Sequence, residues 1–509
     1  MASIGAMDGS PRGNPTKQNI SMRNMTPYST SGRTRYCRLL PAWSHAPSID
    51  TPSGASYVQA LQNLVLKMVD EQKSVCPCGL DIRIPAGFTY FGQLVDHDLT
   101  KDARVGTDGP WDRPIEEVSN LQSPFLDLQV LYGRGPGQEP DCDLYEKDQV
   151  RLRVGKPVQS IGPYGCKQSS FDLPLDQQTK LPDVADDRSN QHVIIRQLTA
   201  AFARLHNAAV AQLKTKFPKR ELFLRARLQT AWQYQRLVYG DFLPRILDEE
   251  VYQNVFRERR MRTQWNVFST PVEFSTAAFR FGHSMVRDGY LLSSYKEEKL
   301  RKLMEQAGEE GPLPRGWEID WARFFPGVGA AHPSTAMPID TFITKALHHL
   351  SEEALERFDL PVSLARQFAA PSLPFLTLLL GLLSQLPSGQ VAAETFGYPA
   401  LTVTELTTDC TGEVTPQGVI LRQTGLDKAT PLWFYLLKES EVRNNGNRLG
   451  PTGSRIVAET IFAALAHDPN SFVNHPDSEA QPPVWTFTGT PTQFRSLGGL
   501  FAAVSRHLC

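Results

Sequence analysis

A mainly α-helical fold is what this 509-residue sequence predicts, and three stretches predict it. From Tyr57 to Val69, the residues Leu61, Leu64, Val65 and Met68 fall on one stripe at helical spacing. In LTAAFARLHNAAVAQL, Leu198, Phe202, Leu205, Ala209 and Leu213 do the same, and a further helix is expected from Glu221 to Val238. The closing segments PLWFYLLKESEV and LGPTGSRIVAETIFAALAHDP read as two helices divided by a turn rich in glycine and asparagine. Length alone allows two or three domains or one large helical unit.

Composition narrows the function classes. The net charge is −1, the isoelectric point 6.8 and the charged fraction 21%, so no domain-scale basic excess recommends nucleic acid as a partner. Hydrophobic residues make up 41% and the mean hydropathy is −0.31, as in an ordinary soluble protein. Seven cysteines (Cys37, Cys76, Cys78, Cys142, Cys166, Cys410 and Cys509) are too scattered for a disulfide scaffold. A reducing compartment is their simplest reading, with room for one or two bridges. Residues 1–34 are expected to be a flexible basic arm and 35–509 the domain proper; the first forty residues carry six basic side chains against Asp8. No apolar leader stretch opens the chain, so a cytoplasmic location is expected. The most apolar run, Leu373 to Leu386, is too short and too interrupted to cross a bilayer, and is expected to be a buried helix rather than a transmembrane segment.

Within the domain, Gly79 to Gly87 reads as an extended lead-in to FTYFGQLVDHDLT, which can run as helix from Phe88 to Asp98. Gln93 and His97 then share a face four residues apart, while Asp98 is turned about 100° away. On these residues alone, His97 is either a structural histidine or a functional one. Lys101 to Gln122 is rich in Asp, Gly and Pro and reads as loop. In SPFLDLQ, Ser123 to Gln129, a hydroxyl, a backbone carbonyl and a carboxylate come close enough in sequence to feed a hard cation. Residues 134–184 look like surface connection. DDRSNQH can cap the helix that follows, and there Arg188 reads most simply as a surface arginine. Thr270 to Met285 reads as helix, with Phe279 and His283 four apart and Gly282 thinning its surface for a flat cofactor or for a helix crossing. Glu297 to Lys302 reads as charged helix.

These motifs, in this order from about Arg35 to about Phe501, resemble the animal-type haem peroxidases of the peroxidase–cyclooxygenase superfamily, and more specifically a bacterial-type branch. The resemblance implies a large single helical domain with haem b between two helices. It implies that His97, Gln93 and Arg188 are catalytic: His97 moves the peroxide proton, Arg188 stabilises separating charge, and Gln93 positions a water or small anion. His283 would bind the haem iron, Arg280 a haem propionate, and Asp96 could form one ester to the haem. Asp98, Ser123, Phe125 through its carbonyl, Asp127 and Gln129 would bind Ca2+, although relatives usually carry a smaller oxygen donor where Gln129 stands. Gln191 and His192 occupy positions where some relatives have a haem-linked carboxylate and methionine, so those links are lost.

The chain departs from the pattern in LPFLTLLLG. Thr377 stands where relatives carry an asparagine that braces the proximal histidine, and Leu380 where they carry a propionate-facing arginine. Looser haem retention or a shifted iron potential is expected. The implied activity is reduction of hydrogen peroxide with oxidation of a small organic reductant or a halide. Two rivals are a haem-dependent oxygenase of a lipid or specialised metabolite, and a protein of the same fold with impaired haem binding. Arg280 occupies the position of the cyclooxygenase radical tyrosine, which disfavours that chemistry.

Overall fold

The computed structural model describes residues 34–506, except 71–81, 106–108, 112, 162–166, 262, 264, 294, 328–332, 476–482 and 487–490. All but the last residue of the expected N-terminal arm, and the Cys76–Cys78 pair, lie outside the described residues. Among the described residues helices dominate, and the strands form five two-stranded ladders. One contiguous apolar core runs through the described chain from Tyr36 to Val504, which makes it a single mainly α-helical domain.

At the centre lies the helix Gly87–Leu99, in which every residue but Gln93 is buried. A helix that is apolar nearly all round belongs inside a core, and its neighbours enclose it. On one side pack the helix Val193–Leu213 and the π-helical turn Val238–Phe242, which continues the helix Lys219–Leu237; on the other packs the 3-10 turn Ala278–His283. Gly87 is required for the entry: a Cβ there would come within 2.6 Å of the Phe325 ring and 2.7 Å of the Phe324 carbonyl oxygen.

Behind the 3-10 turn stand the helices Leu432–Asn444 and Pro451–His467, joined by the expected Gly/Asn turn, with Asn445 in the left-handed region at φ 50°. The buried Glu439 carboxylate accepts the Thr452 and Gly453 N–H groups, capping the second helix from the first. Leu373–Leu383 is the expected buried helix, packed between Leu432–Asn444 and the helix Pro52–Val65. No helix among the described residues is long and apolar enough to cross a membrane.

Several expectations of local structure are corrected. Thr270 to Met285 is not one helix: an α-helix spans Val272–Thr276, Ala277 breaks it at φ −131°, ψ −66°, and Ala278–His283 continues as 3-10. With three residues per turn, Arg280 and His283 share a face, and the expected pairing of Phe279 with His283 is lost. The charged segment near Glu297 is a strand, Lys296–Lys299, paired with Gly289–Ser293; helix begins only at Leu300. The connection 134–184 contains an antiparallel hairpin, Pro157–Ile161 with Lys167–Phe171. Cys37 is a free thiol that donates to the Ser269 carbonyl, whereas Cys410 is disulfide-bonded, within the one or two bridges for which the sequence left room.

Candidate active site

A single cavity collects residues that lie nearly three hundred positions apart in sequence. Gln93, Asp96 and His97 enter from the central helix, and Arg188 from the turn before Val193. Arg280 and His283 come from the 3-10 turn, and Thr377 and Leu380 from the helix Leu373–Leu383. The space between them is about 1360 Å³ with the open solvent at its mouth included, and its lining is more apolar than polar.

His97 is buried and His283 half-buried with its Nδ1 atom enclosed, and the Nδ1 atom of each has no hydrogen-bond partner. Burial, reinforced by Arg188, holds the His97 imidazole well below its ordinary pKa; burial, reinforced by Arg280, pushes His283 down to about 3. Both rings are therefore neutral at physiological pH, the form that accepts a proton or binds a metal. The Trp433 ring meets His283 edge to face at 6.0 Å, and its indole N–H donates to the Arg280 carbonyl.

Arg188 is not the surface residue its composition suggests. Its Nε and Nη2 donate to both oxygens of buried Asp186, its Nη1 to the Thr100 carbonyl at 2.7 Å, and its Nη2 also to the His97 carbonyl at 2.9 Å. One guanidinium thus satisfies two carbonyls at the C-terminal end of the central helix, where no intrahelical donor is left, and so sets the position of His97. Burial opposes both charges. The Asp186 carboxylate outweighs it for Arg188, whose pKa is raised, and Arg188, aided by Lys101 at 3.5 Å, keeps Asp186 well below the usual carboxylate range.

Asp96 accepts from the Thr100 hydroxyl at 3.1 Å and lies 3.7 Å from Arg280. The two residues expected to bind different groups of one cofactor are therefore ion-paired with each other. Thr377 does not brace His283: its hydroxyl donates to the Leu373 carbonyl of its own helix at 2.8 Å, and no bond joins it to the His283 ring. A threonine in a helix readily bonds back one turn, and its side chain is shorter than the asparagine it replaces.

The profile of the animal haem peroxidase family, described as "Animal haem peroxidase", matches residues 4–364, a span that holds His97, His283, Gln93 and Arg188. The chain belongs to the animal haem peroxidase family. The matched span ends before Leu373–Leu383, the helix in which Thr377 and Leu380 depart from the family pattern.

Among curated relatives, the chain is 28% identical over 179 residues to a peroxidase-like protein of Margaritifera margaritifera, covering 33% of this chain and 22% of that one. It is 25% identical over 278 residues to thyroid peroxidase of Sus scrofa, covering 50% and 29% respectively. It thus spans less than a third of the length of either. Peroxidase A of Dictyostelium discoideum shares the fold, with TM-score 0.58, 16% identity and 94% of each chain covered. The Arabidopsis thaliana fatty acid alpha-dioxygenase has TM-score 0.58 and 13% identity over 89% of this chain and 74% of that one.

These findings correct the branch expected from sequence. The relatives matched are animal peroxidases, and the assignment is to the animal-type family, not a bacterial-type branch. The stretch FGQLVDHDLT, which suggested the branch, does not by itself discriminate between branches.

In this family member a second cluster adjoins the central helix. The Asp98 carboxylate accepts the N–H groups of Leu128 and Val130, at 3.0 and 3.3 Å. Asp127 accepts Gln129 N–H, Ser123 Oγ accepts Phe125 N–H, and Gln129 Oε1 accepts Ser123 N–H. Ser123, Phe125, Asp127 and Gln129, four of the residues expected at a calcium site, are therefore interlinked in one loop, which turns through Leu128 at φ 58° and is bonded to the fifth, Asp98 of the central helix. Burial and the neighbouring Asp127 push the Asp98 carboxyl well above its usual range; burial raises Asp127 too, against the pull of Arg227 at 3.4 Å. Two desolvated carboxylates among neutral oxygens suit a hard cation, which would relieve their repulsion. Among the described residues no group of three His, Cys, Asp or Glu side chains is placed to hold a metal, so such an ion would depend on hydroxyl, amide and backbone oxygens.

Proposed function

We propose that this chain is a haem-dependent peroxidase, reducing hydrogen peroxide at the expense of a small organic donor or a halide. The observation that carries this reading is two neutral imidazoles, His97 and His283, each with an enclosed and unpartnered Nδ1, facing one apolar-lined cavity with Arg188 held beside one of them. The cavity's apolar walls, its two free imidazoles and Arg280 fit haem b. When bound, haem supplies the iron that peroxide oxidises and the donor reduces.

His283 would hold the iron, since its ring is neutral and Trp433 fixes its tilt. His97 would take the proton from the near oxygen of peroxide and return it to the far oxygen, which leaves as water. Arg188 would favour the charge separated in that transfer and keep His97 in register. Gln93 would hold the incoming peroxide, or the water that precedes it, beside His97. Arg280 would meet a haem carboxylate in exchange for Asp96, or leave Asp96 free for a single ester link. Ca2+ held by Asp98, Asp127, Ser123, Gln129 and the Phe125 carbonyl would clamp the residue next to His97.

The absorption spectrum of the haem-reconstituted protein tests the reading: a Soret band that shifts on adding peroxide is expected. Loss of that band in His283→Ala, with the fold intact by far-UV circular dichroism, is the second expected result. A His283→Ala protein that retains haem normally would overturn the assignment, and a wild-type protein that takes up no haem would favour the impaired-binding alternative. For calcium, one ion per chain is expected by metal analysis, with a marked loss in Asp127→Ala; a fully active protein free of calcium would remove the ion from the reading.

A further inference from the structure

Gln191 and His192 register in the sequence only as lost haem links, yet in the structure they grip Gln93. His192 is the N-cap of the helix Val193–Leu213, and its Nδ1 accepts the Ile195 backbone N–H at 3.2 Å. A neutral imidazole that accepts at Nδ1 carries its proton on Nε2. His192 is neutral, because burial pushes its pKa down to about 3. Its Nε2 lies 2.9 Å from Gln93 Oε1 and can only donate there. That decides the amide orientation of Gln93, a choice usually left open by shape alone. The Gln93 Nε2 must then face the other way, where it donates to Gln191 Oε1 at 2.6 Å. The Tyr90 ring packs edge to face on His192 at 4.8 Å and holds the imidazole in plane.

The sense of this relay is set at its start by a backbone N–H that cannot turn round. Each bond then dictates the next: Ile195 to His192, His192 to Gln93, Gln93 to Gln191. Bonds aligned in one sense also polarise one another. Gln93 is the one residue of its helix that is not buried, and it lines the cavity with His97. We infer that Gln191 and His192 are positioning residues that lock the Gln93 amide, so that the wall beside His97 offers a ligand an N–H donor rather than a carbonyl acceptor. The locked wall selects ligand atoms that accept hydrogen bonds, such as a peroxide oxygen or an anion, over groups that only donate. The inference rests on the proposed use of this cavity and specifies the polarity of its ligand subsite.

The variant that separates the relay from simple helix capping is His192→Ser. Serine still caps Ile195 but has no second donor to reach Gln93. Two readouts are needed. In the protein without haem, 15N NMR of labelled histidine should show the His192 signal, identified by its loss in His192→Ser, with the proton on Nε2. In the haem-loaded protein, azide titrated against the Soret band should bind roughly tenfold more weakly in His192→Ser and in Gln191→Leu, the worth of one hydrogen bond. A proton on Nδ1 of His192, or azide affinities within twofold of wild type in both variants, overturns the relay. A protein that takes up no haem fails the peroxidase reading instead, and the NMR result still decides the relay.

Discussion

Replacing His97 with alanine is expected to slow the reaction with hydrogen peroxide by roughly 10²-fold or more, while haem content stays at the wild-type level. The ring is buried and its Nδ1 has no partner, so deleting it leaves no new unpaired polar group in the protein. What is deleted is a base held neutral by burial and by the Arg188 charge. Because the His97 pKa lies well below its ordinary value, the wild-type rate should stay flat as pH falls through 6 and decline only in more acid solution. The sign follows from the direction of the shift: a lowered pKa keeps the proton-accepting form populated to lower pH. Stopped-flow measurement of the Soret change against pH reads both effects. A rate in His97→Ala within a few-fold of wild type would remove His97 from proton transfer.

Arg188→Ala is expected to cost the fold about 3–5 kcal/mol, as for the removal of one partner from a buried ion pair. Asp186 would be left charged and buried with Lys101 as its nearest countercharge and Gln122 as its side-chain donor, and the carbonyls of His97 and Thr100 would lose their donor. Urea unfolding at pH 7 measures the loss. The pair also has a pH signature. Asp186 has a folded pKa below its unfolded value of about 3.9, so its stabilisation is complete above that value and is lost as pH falls through the folded one. The gap between wild type and Arg188→Ala should therefore be full at pH 7 and narrow in strongly acid solution. The double variant Asp186→Leu/Arg188→Met should recover much of the stability, since an apolar pair leaves no buried charge. It should not recover the reaction with peroxide. A single variant as stable as wild type would show that water replaces the guanidinium at no cost.

The helices were legible wherever apolar residues repeat at helical spacing, as at Leu198, Phe202, Leu205, Ala209 and Leu213 along Val193–Leu213. Periodicity failed where the backbone is irregular. Nothing in FSTAAFRFGH announces the break at Ala277, because alanine suits a helix and only the packing around it sets φ −131°. Lys296–Lys299 pairs as a strand because Gly289–Ser293 lies beside it, a contact that local propensity does not contain.

By itself, the sequence determined the family, the helical class, and the candidate residues: Gln93 and His97 on one face, Arg188 near an acidic helix start, His283 directly after Gly282. Those features are local, and spacing along a helix or a short motif is enough to express them. Only the tertiary structure decided who meets whom. It paired Asp96 with Arg280, turned Thr377 back onto Leu373, sank Arg188 onto the end of the central helix, and joined Gln191 and His192 to Gln93. Hydrogen-bond partners ninety or more positions away are set by how helices cross. A buried polar atom takes whichever donor or acceptor the packing brings within about 3 Å, because leaving it unpaired costs more than the bond returns.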